Sequence, residues 1–231
     1  MKASRIVLAP LVLTAACSLN QFRGPAQVQV PVETCAEKAL IDDCEDGDDQ
    51  ILPREGRGGF FYTFADKAGS TVSPSETAFQ MAAGGPKGST HAVRLKGQVA
   101  NGAEVYVGVG LEFKQSGTYD ASTFKGVAFS AKVEAGAQTP VRFMVADVNT
   151  DPKGKVCKAC NNDFGVPFKA TDEWVRYEVP FADLKQETGW GAPRPPAVDT
   201  ARLTGLKWQV SAPDAKIDLW LDDVAFIGCP K

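Results

Sequence analysis

Two short stretches concentrate acidic side chains of the kind that bind a metal. Near the start stands Ile41-Asp42-Asp43-Cys44-Glu45-Asp46-Gly47-Asp48-Asp49, and near the end Ile217-Asp218-Leu219-Trp220-Leu221-Asp222-Asp223-Val224-Ala225-Phe226. Each reads as a short apolar-rich strand carrying an aspartate doublet. The expectation is that they pair antiparallel, first strand with last. With Cys35 opposite Cys229, Asp42 and Asp43 then lie across from Asp223 and Asp222. Like charges facing one another on neighbouring strands are destabilising. A hard cation relieves them: Ca2+ takes roughly six to eight oxygens, largely from carboxylates and carbonyls. A structural calcium is therefore expected; the alternative is a set of solvated turn acids without metal.

Cysteine chemistry is the second possibility, since six cysteines are present. Cys157-Lys-Ala-Cys160 has the spacing of a redox motif, but such motifs belong with a βαβ pattern. Here Asp-Pro-Lys-Gly-Lys lies shortly before it and Asn-Asn-Asp follows, which is loop chemistry. Zinc wants four ligands, and no second pair has matching spacing. A local disulfide Cys157–Cys160 is the expected reading. Cys35–Cys229 would join the ends of the domain and leave Cys44 as a buried odd thiol; a Cys44–Cys229 bond is the competing register. The one histidine, His91 in Ser-Thr-His-Ala-Val-Arg-Leu, has no evident nucleophile beside it. Acids are numerous enough for a glycosidase-type carboxylate pair, but no spacing points to one, and no catalytic residue is assigned.

The elements that must position these groups follow from the rest of the chain. Its 231 residues suit one large or two small domains. Lys2 and Arg5 form a basic head, residues 6–16 an apolar run too short to span a bilayer, and small residues precede Cys17. This resembles a bacterial lipoprotein signal, in which the cysteine becomes the acylated N-terminus; Thr14 departs from the leucine more usual there. By the same resemblance Ser18 favours the outer membrane. The expected organisation is a signal over residues 1–16, a flexible tether over 17–36 with Pro25 and Pro31, and one domain over 37–231. The expected place is the bacterial envelope, with membrane contact through lipid only. Without Lys2 and Arg5, 23 basic and 28 acidic residues remain, which argues against a nucleic-acid partner. A monomer is expected.

Beyond the tether the punctuation is that of an all-β protein. Val105, Val107, Val109 and Leu111 alternate with Tyr106, Gly108, Gly110 and Glu112. Val127, Phe129, Ala131 and Val133 alternate with smaller or polar residues, as do Val141, Phe143 and Val145. Period two puts one face in a core and the other toward water. Further strands are expected over 58–65, 77–82, 90–96, 174–181 and 203–210, separated by turns such as Gly84-Gly85-Pro86 and Asn101-Gly102. Residues 181–184 read as a short helix. Nine or ten short strands make a single antiparallel β-sandwich.

Four pieces occur in order: IDD-x-EDGD at 41–48, Gly-Phe-Phe-Tyr-Thr-Phe at 59–64, Trp174-x-x-Tyr177-x-x-Pro180-Phe181, and the closing Ile217-x-Leu-Trp-Leu-Asp-Asp-Val. The combination resembles jelly-roll carbohydrate-binding modules of the galactose-binding-like superfamily, most closely the family-11 type, over about residues 38–228. The resemblance implies a structural calcium held by an early acid and an aspartate of the closing doublet. Glu45 and Asp222 match those positions, with Asp43 and Asp223 beside them; Cys44 stands where such modules usually have Phe.

The resemblance also directs the search for ligand-binding groups, because a pyranose ring stacks its apolar face on an aromatic while amides and charges meet its hydroxyls. Trp190, in Thr188-Gly-Trp-Gly-Ala-Pro, is the expected exposed platform, and Tyr62 a second. Trp174, Trp208 and Trp220 are expected in the core. Arg142 and Gln209 occupy polar phases of strands and could line a concave face, against the alternative of a solvated outer sheet. The loop 147–165 is long, and long loops are often functional. Its Asp147, Asn149, Asn162 and Asp163 could meet sugar hydroxyls or a second calcium; ordinary turn chemistry is the competing account. The resulting expectation is a non-catalytic lipoprotein of the envelope that binds a poly- or oligosaccharide. The alternative is a structural or protein-interaction sandwich without sugar binding.

Overall fold

A computed structural model describes residues 33–229 apart from 138 and 139. The expected signal, the acylated Cys17 and most of the expected tether lie outside the described residues. The compact unit begins at Glu33. Its first element, α1 (Cys35–Ala39), starts inside the stretch expected to be tether, because Thr34 caps it. Thr34 Oγ1 accepts from the Glu37 amide at 3.2 Å, and Glu37 Oε2 accepts from the Thr34 amide at 2.6 Å. This reciprocal pair satisfies backbone donors that a short helix would otherwise leave unpaired.

Two antiparallel sheets follow. One runs β10 (Val175–Pro180), β7 (Gly126–Val133), β12 (Lys216–Ile227), β5 (His91–Gln98) and β3 (Thr71–Ser73), with β1 (Leu40–Asp42) against β12 and β4 (Ala82–Ala83) against β5. The other runs β2 (Phe61–Ala65), β6 (Val107–Glu112), β11 (Leu203–Val210), β8 (Pro140–Asp147) and β9 (Phe164–Lys169). The alternation read from sequence decides the inward faces. Val107, Val109 and Leu111, Val141, Phe143 and Val145, and Trp208 are buried against Val127, Phe129, Ala131 and Leu219 in one core. Trp208 of the second sheet meets Phe129 of the first edge to face at 5.2 Å, so the sheets interdigitate.

The segment from Lys38 to Leu40 is fastened to this core by Arg57, which is buried and donates to the Tyr119 hydroxyl, to Lys38 O and to Leu40 O at 2.7–2.9 Å. Its guanidinium also lies over the Tyr119 and Phe226 rings. Cys35–Cys229 and Cys157–Cys160 are bonded and Cys44 is free and buried, as expected.

Three sequence expectations are corrected. First and last strands do pair, but Asp42 stands opposite Val224 and Leu40 opposite Ala225, not aspartate opposite aspartate. The cause is a bulge: Asp223 takes a left-handed backbone (φ 50°), and β12 fits four residues, 222–225, against three of β7, 128–130. Residues 77–82 form a 3-10 turn (Glu76–Ala78) and the two-residue β4 rather than one strand. The loop expected over 147–165 ends at Phe164, where β9 starts. The short helix expected at 181–184, by contrast, does form, as one 3-10 turn over Phe181–Asp183.

Candidate functional site

The outer face of the second sheet collects most of the expected ligand-binding groups. Strand register sets two rows across it: Tyr62, Gly110, Lys207, Met144 and Gly165, then Phe64, Gly108, Gln209, Arg142 and Pro167. In β6 every outward position before Glu112 is glycine. The neighbouring rings use that bare strand: a methyl on Gly110 would sit 2.7 Å from Tyr62 Cζ, and one on Gly108 would overlap the Phe64 ring. Rings follow one another along this edge, Phe60 to Tyr62 at 6.3 Å, Tyr62 to Phe64 at 6.0 Å and Phe64 to Tyr106 at 6.1 Å. All four are partly exposed. Flat aromatic surface laid over glycine is what an apolar ring face can stack on.

Polar groups flank the rings in pairs. Lys207 Nζ lies 2.7 Å from Asp163 Oδ2, Lys153 meets Glu112, and Arg142 Nε stands 3.9 Å from Glu187 Oε1 while its Nη2 donates to Lys185 O at 2.7 Å. Gln209 Nε2 donates to Ser211 Oγ at 2.8 Å. Burial pushes the Tyr62 hydroxyl up to about 12, so it stays a neutral donor. Burial also disfavours the Lys207 ammonium, but the Asp163 carboxylate outweighs it and holds the lysine above its usual range.

Trp190 is 44 % exposed, and its Nε1 donates to Glu187 Oε2 at 3.0 Å, next to Arg142 at the far side of this face. Its loop is organised by Asn162, which is 2 % exposed. Asn162 Nδ2 donates to Glu187 O and Trp190 O at 3.0 and 2.7 Å, and its Oδ1 accepts from the Glu187 amide at 2.9 Å. Asn162 thus carries the platform instead of facing solvent. Asp147 is fully buried; its carboxylate accepts from the amides of Asn149, Thr150 and Asp199 at 2.8–3.1 Å. That is turn chemistry, the competing account for this loop. Of the other tryptophans, Trp208 is in the core. Trp220 is buried on the outer face of the first sheet with Arg94 stacked at 4.3 Å, and Trp174 is half-buried beside Lys132.

Sequence reasoning passed over Phe60, Phe64, Tyr106 and Lys207. A ring at every second residue from 60 to 64, beside a strand with glycine at every second residue, was the available signal. A concavity lies on the first sheet, lined in part by Ser73, Lys96, Gln98, Glu134, Lys216 and Asp218. Among the described residues no aromatic ring lines it, so they offer nothing for a sugar face to stack on.

The acidic groups assemble in part. Ser89 Oγ has three oxygens around it: Glu45 Oε1 at 2.8 Å, Asp222 Oδ2 at 2.7 Å and His91 O at 2.8 Å. One hydroxyl proton serves only one of them. Gly85 closes the cradle, since a methyl there would overlap Ser89 and come within 2.9 Å of Asp222 Oδ2. Hydrogen bonds from the Ser89 hydroxyl and from the His91 and Thr90 amides hold Glu45 down at about 2, whereas burial pushes Asp222 up to about 6. Two carboxylates, a hydroxyl and a carbonyl form a hard oxygen set that fits calcium chemically. No trio of acidic, histidine or cysteine side chains gathers among the described residues. Asp43 and Asp223 are not drawn in: Asp43 Oδ1 faces the Glu45 amide at 3.5 Å, and Asp223 Oδ2 faces Ser130 Oγ at 3.3 Å.

No protein-family model and no curated sequence matches the chain. Solved structures do. The family 11 carbohydrate-binding module of the Clostridium thermocellum cellulosomal cellulase Lic26A-Cel5E is similar over 82 % of this chain and 93 % of its own, with 15 % identity and a TM-score of 0.56. A family 11 module from the same organism in complex with a β-1,3-1,4-mixed-linked tetrasaccharide matches over 80 % and 98 %, with 15 % identity and a TM-score of 0.55. The family 30 module of the C. thermocellum cellulase Cel9D-Cel44B matches over 84 % and 98 %, with 14 % identity and a TM-score of 0.56. At such identities the likeness establishes the fold: the chain is an antiparallel jelly-roll β-sandwich of the kind these modules have.

Proposed function

We propose that the protein is a non-catalytic carbohydrate-binding domain that takes a poly- or oligosaccharide on the outer face of the sheet β2-β6-β11-β8-β9. The observation that carries this is the run of rings Phe60, Tyr62, Phe64 and Tyr106 over the glycines of β6. These rings, each tilted by 42–63° to the next, supply apolar contact with the pyranose face, while Lys207, Gln209 and Arg142 supply donors to hydroxyls. Trp190 closes the far side. The shared fold of carbohydrate-binding modules supports the reading. Titration calorimetry with a β-1,3-1,4-mixed-linked glucan and a panel of other plant and bacterial polysaccharides tests it. Binding that is lost in Tyr62→Ala and weakened in Trp190→Ala is expected; no heat with any polysaccharide at millimolar sugar overturns the reading in favour of an interaction sandwich.

The proposal extends to two further parts. Glu45 and Asp222, with Ser89 Oγ and His91 O, would hold a structural calcium that fastens the acidic turn to β12. Cys17 would be acylated and tether the domain to the bacterial envelope; Cys17→Ala is expected to abolish detergent partitioning, and an unacylated wild-type N-terminal peptide would end that part.

A further inference from the structure

The chain around Trp190 is braced in part from within, Trp190 Nε1 donating to Glu187 Oε2 at 3.0 Å and Arg194 Nη2 to Glu187 O at 2.9 Å. Gly189 and Gly191 flank the tryptophan, both in the left-handed region (φ 88° and 87°) that glycine adopts at little cost, and Gly191 lies so close to Asn162 that a methyl there would stand 2.7 Å from its Cβ. The remaining holds on the platform come from a second loop. The Lys158 amide donates to Ala192 O at 2.8 Å, and Ala192 N donates to Ala159 O at 3.1 Å, a two-stranded bridge on one side of the platform. On the other side Asn162 grips Glu187 and Trp190 by three hydrogen bonds. The disulfide Cys157–Cys160 sits across this second loop, enclosing Lys158 and Ala159 and ending two residues before Asn162. Beyond the cysteines the loop is held: the Asn161 amide donates to Thr150 O at 2.8 Å, Gln186 Nε2 donates to Asn162 O at 2.8 Å, and Asn162 is buried. Between them it is open, with Lys158 and Ala159 exposed and Val156 just before them 45 % exposed, so there the Cys157–Cys160 bond is the main restraint beside the bridge to Ala192.

We propose that the Cys157–Cys160 disulfide is the positioning device of the Trp190 platform, so that reducing this one bond weakens carbohydrate binding; the binding half of this rests on the function proposed above. The chemistry balances with a dithiol reductant. One S–S bond breaks, two electrons and two protons convert it to two thiols, and the reductant closes its own disulfide. The freed loop then samples other conformations and the bridge at Ala192 loosens, leaving the grip at Asn162 to hold the platform alone. Apparent affinity falls in proportion to the fraction of time the platform is in place, so a loop in place about a tenth of the time binds roughly tenfold more weakly.

The test uses the purified full chain with two readouts. Binding is measured against the β-1,3-1,4-mixed-linked tetrasaccharide. Platform position is measured by iodide quenching of indole fluorescence, with Trp190→Phe identifying the Trp190 signal. Cys157→Ser/Cys160→Ser is expected to raise the quenchable Trp190 signal and weaken the tetrasaccharide Kd roughly tenfold by the population argument above. Cys35→Ser/Cys229→Ser, which opens the other disulfide, is expected to leave both readouts unchanged below its melting temperature. Dithiol reduction of the wild type should reproduce the first variant and not the second. Unchanged quenching and Kd in Cys157→Ser/Cys160→Ser overturn the proposal. If quenching changes but no form binds the tetrasaccharide or any other glycan, the positioning role stands and the carbohydrate reading falls.

Discussion

Lys207 Nζ lies 2.7 Å from Asp163 Oδ2, an ion pair that joins the middle of the ring-bearing face to the residue just before β9. The Asp163 side chain is 1 % exposed and that of Lys207 16 %, so neither charge is compensated by water. Breaking such a pair from one side leaves a buried charge, which typically costs about 3–5 kcal/mol. Asp163→Ala is expected to lose stability in that range by urea denaturation. The double variant Asp163→Leu/Lys207→Met is expected to recover most of it, because two apolar side chains leave nothing unpaired. A double variant as unstable as the single one would show that the pair acts through something other than its charges.

Glycine at position 110 is required by the Tyr62 ring rather than by backbone geometry. A methyl there would stand 2.7 Å from Tyr62 Cζ, and the residue has no left-handed φ. Gly110→Ala is therefore expected to lift the ring off β6 at a cost of about 1–3 kcal/mol, the usual range for overpacking. Glycan affinity should fall with it, while the far-ultraviolet spectrum stays that of the wild type. Affinity unchanged in a variant that has lost stability would remove Tyr62 from the binding surface.

Where strand periodicity was strong, the sequence was readable. Val107, Val109 and Leu111 announced β6, and Phe143 and Val145 announced β8, because a half-buried strand has few other ways to pattern its residues. β9 went unread because Gly165 and Pro167 argue against a strand, yet β9 is the last ladder partner of its sheet, where proline is tolerated. The offset of the aspartates was hidden as well, since nothing in Asp222-Asp223 distinguishes a bulge from straight strand. Asp147 and Asn162 misled for a shared reason. The groups that suit a sugar hydroxyl equally suit the amides of a tight loop, and the choice is made by burial. Lys207 and Asp163 are 44 residues apart, so their pairing depends on topology alone.

The Cys35–Cys229 bond spans a sequence separation of 194 residues and ties α1 to the end of β12. Closing so long a loop restricts the unfolded chain strongly, by about 5 kcal/mol in chain-entropy arithmetic. Cys35→Ser/Cys229→Ser is expected to lower the unfolding free energy by about that amount, with Arg57 still anchoring Lys38 O and Leu40 O in the native state. Cys157→Ser/Cys160→Ser, which opens a far shorter loop, should cost clearly less. Equal losses in the two variants would mean that native contacts, not chain restriction, set the stability of both.

The last prediction concerns pH and calcium together. Asp42 is 1 % exposed, and although the Cys44 and Leu52 amides donate to it at 2.8 and 3.1 Å, burial pushes it up to about 7; burial likewise pushes Asp222 up to about 6. A carboxyl raised in the native state binds its proton more tightly there than in the unfolded chain. Its stabilising contribution is complete below its unfolded value of 3.8 and is lost as pH rises through 6 to 7. Glu45 and Asp66 run the other way: both are held down at about 2, Glu45 by the Ser89 hydroxyl and neighbouring amides, Asp66 by hydrogen bonds that overcome its burial. Their contribution is present above the ordinary carboxylate range and lost as pH falls toward 2. With chelator present, the melting temperature should therefore peak between about pH 4 and 5 and decline toward pH 7.5. Asp42→Asn should flatten part of that decline. Calcium at Glu45 and Asp222 would favour the charged carboxylates, so added calcium should raise the curve at pH 7.5 far more than at pH 4.5. At a hundredfold excess over Kd the gain is about 2.7 kcal/mol. Asp222→Ala should abolish the calcium response. Asp218→Ala should leave it intact, because that carboxylate is held bidentate by Arg94 at 2.8 Å, outside the set around Ser89. Superimposable melting curves with calcium and with chelator at pH 7.5 would reduce Glu45 and Asp222 to a hydrogen-bonded turn, and a chelated profile flat from pH 4.5 to 7.5 would show that Asp42 and Asp222 are ionised throughout.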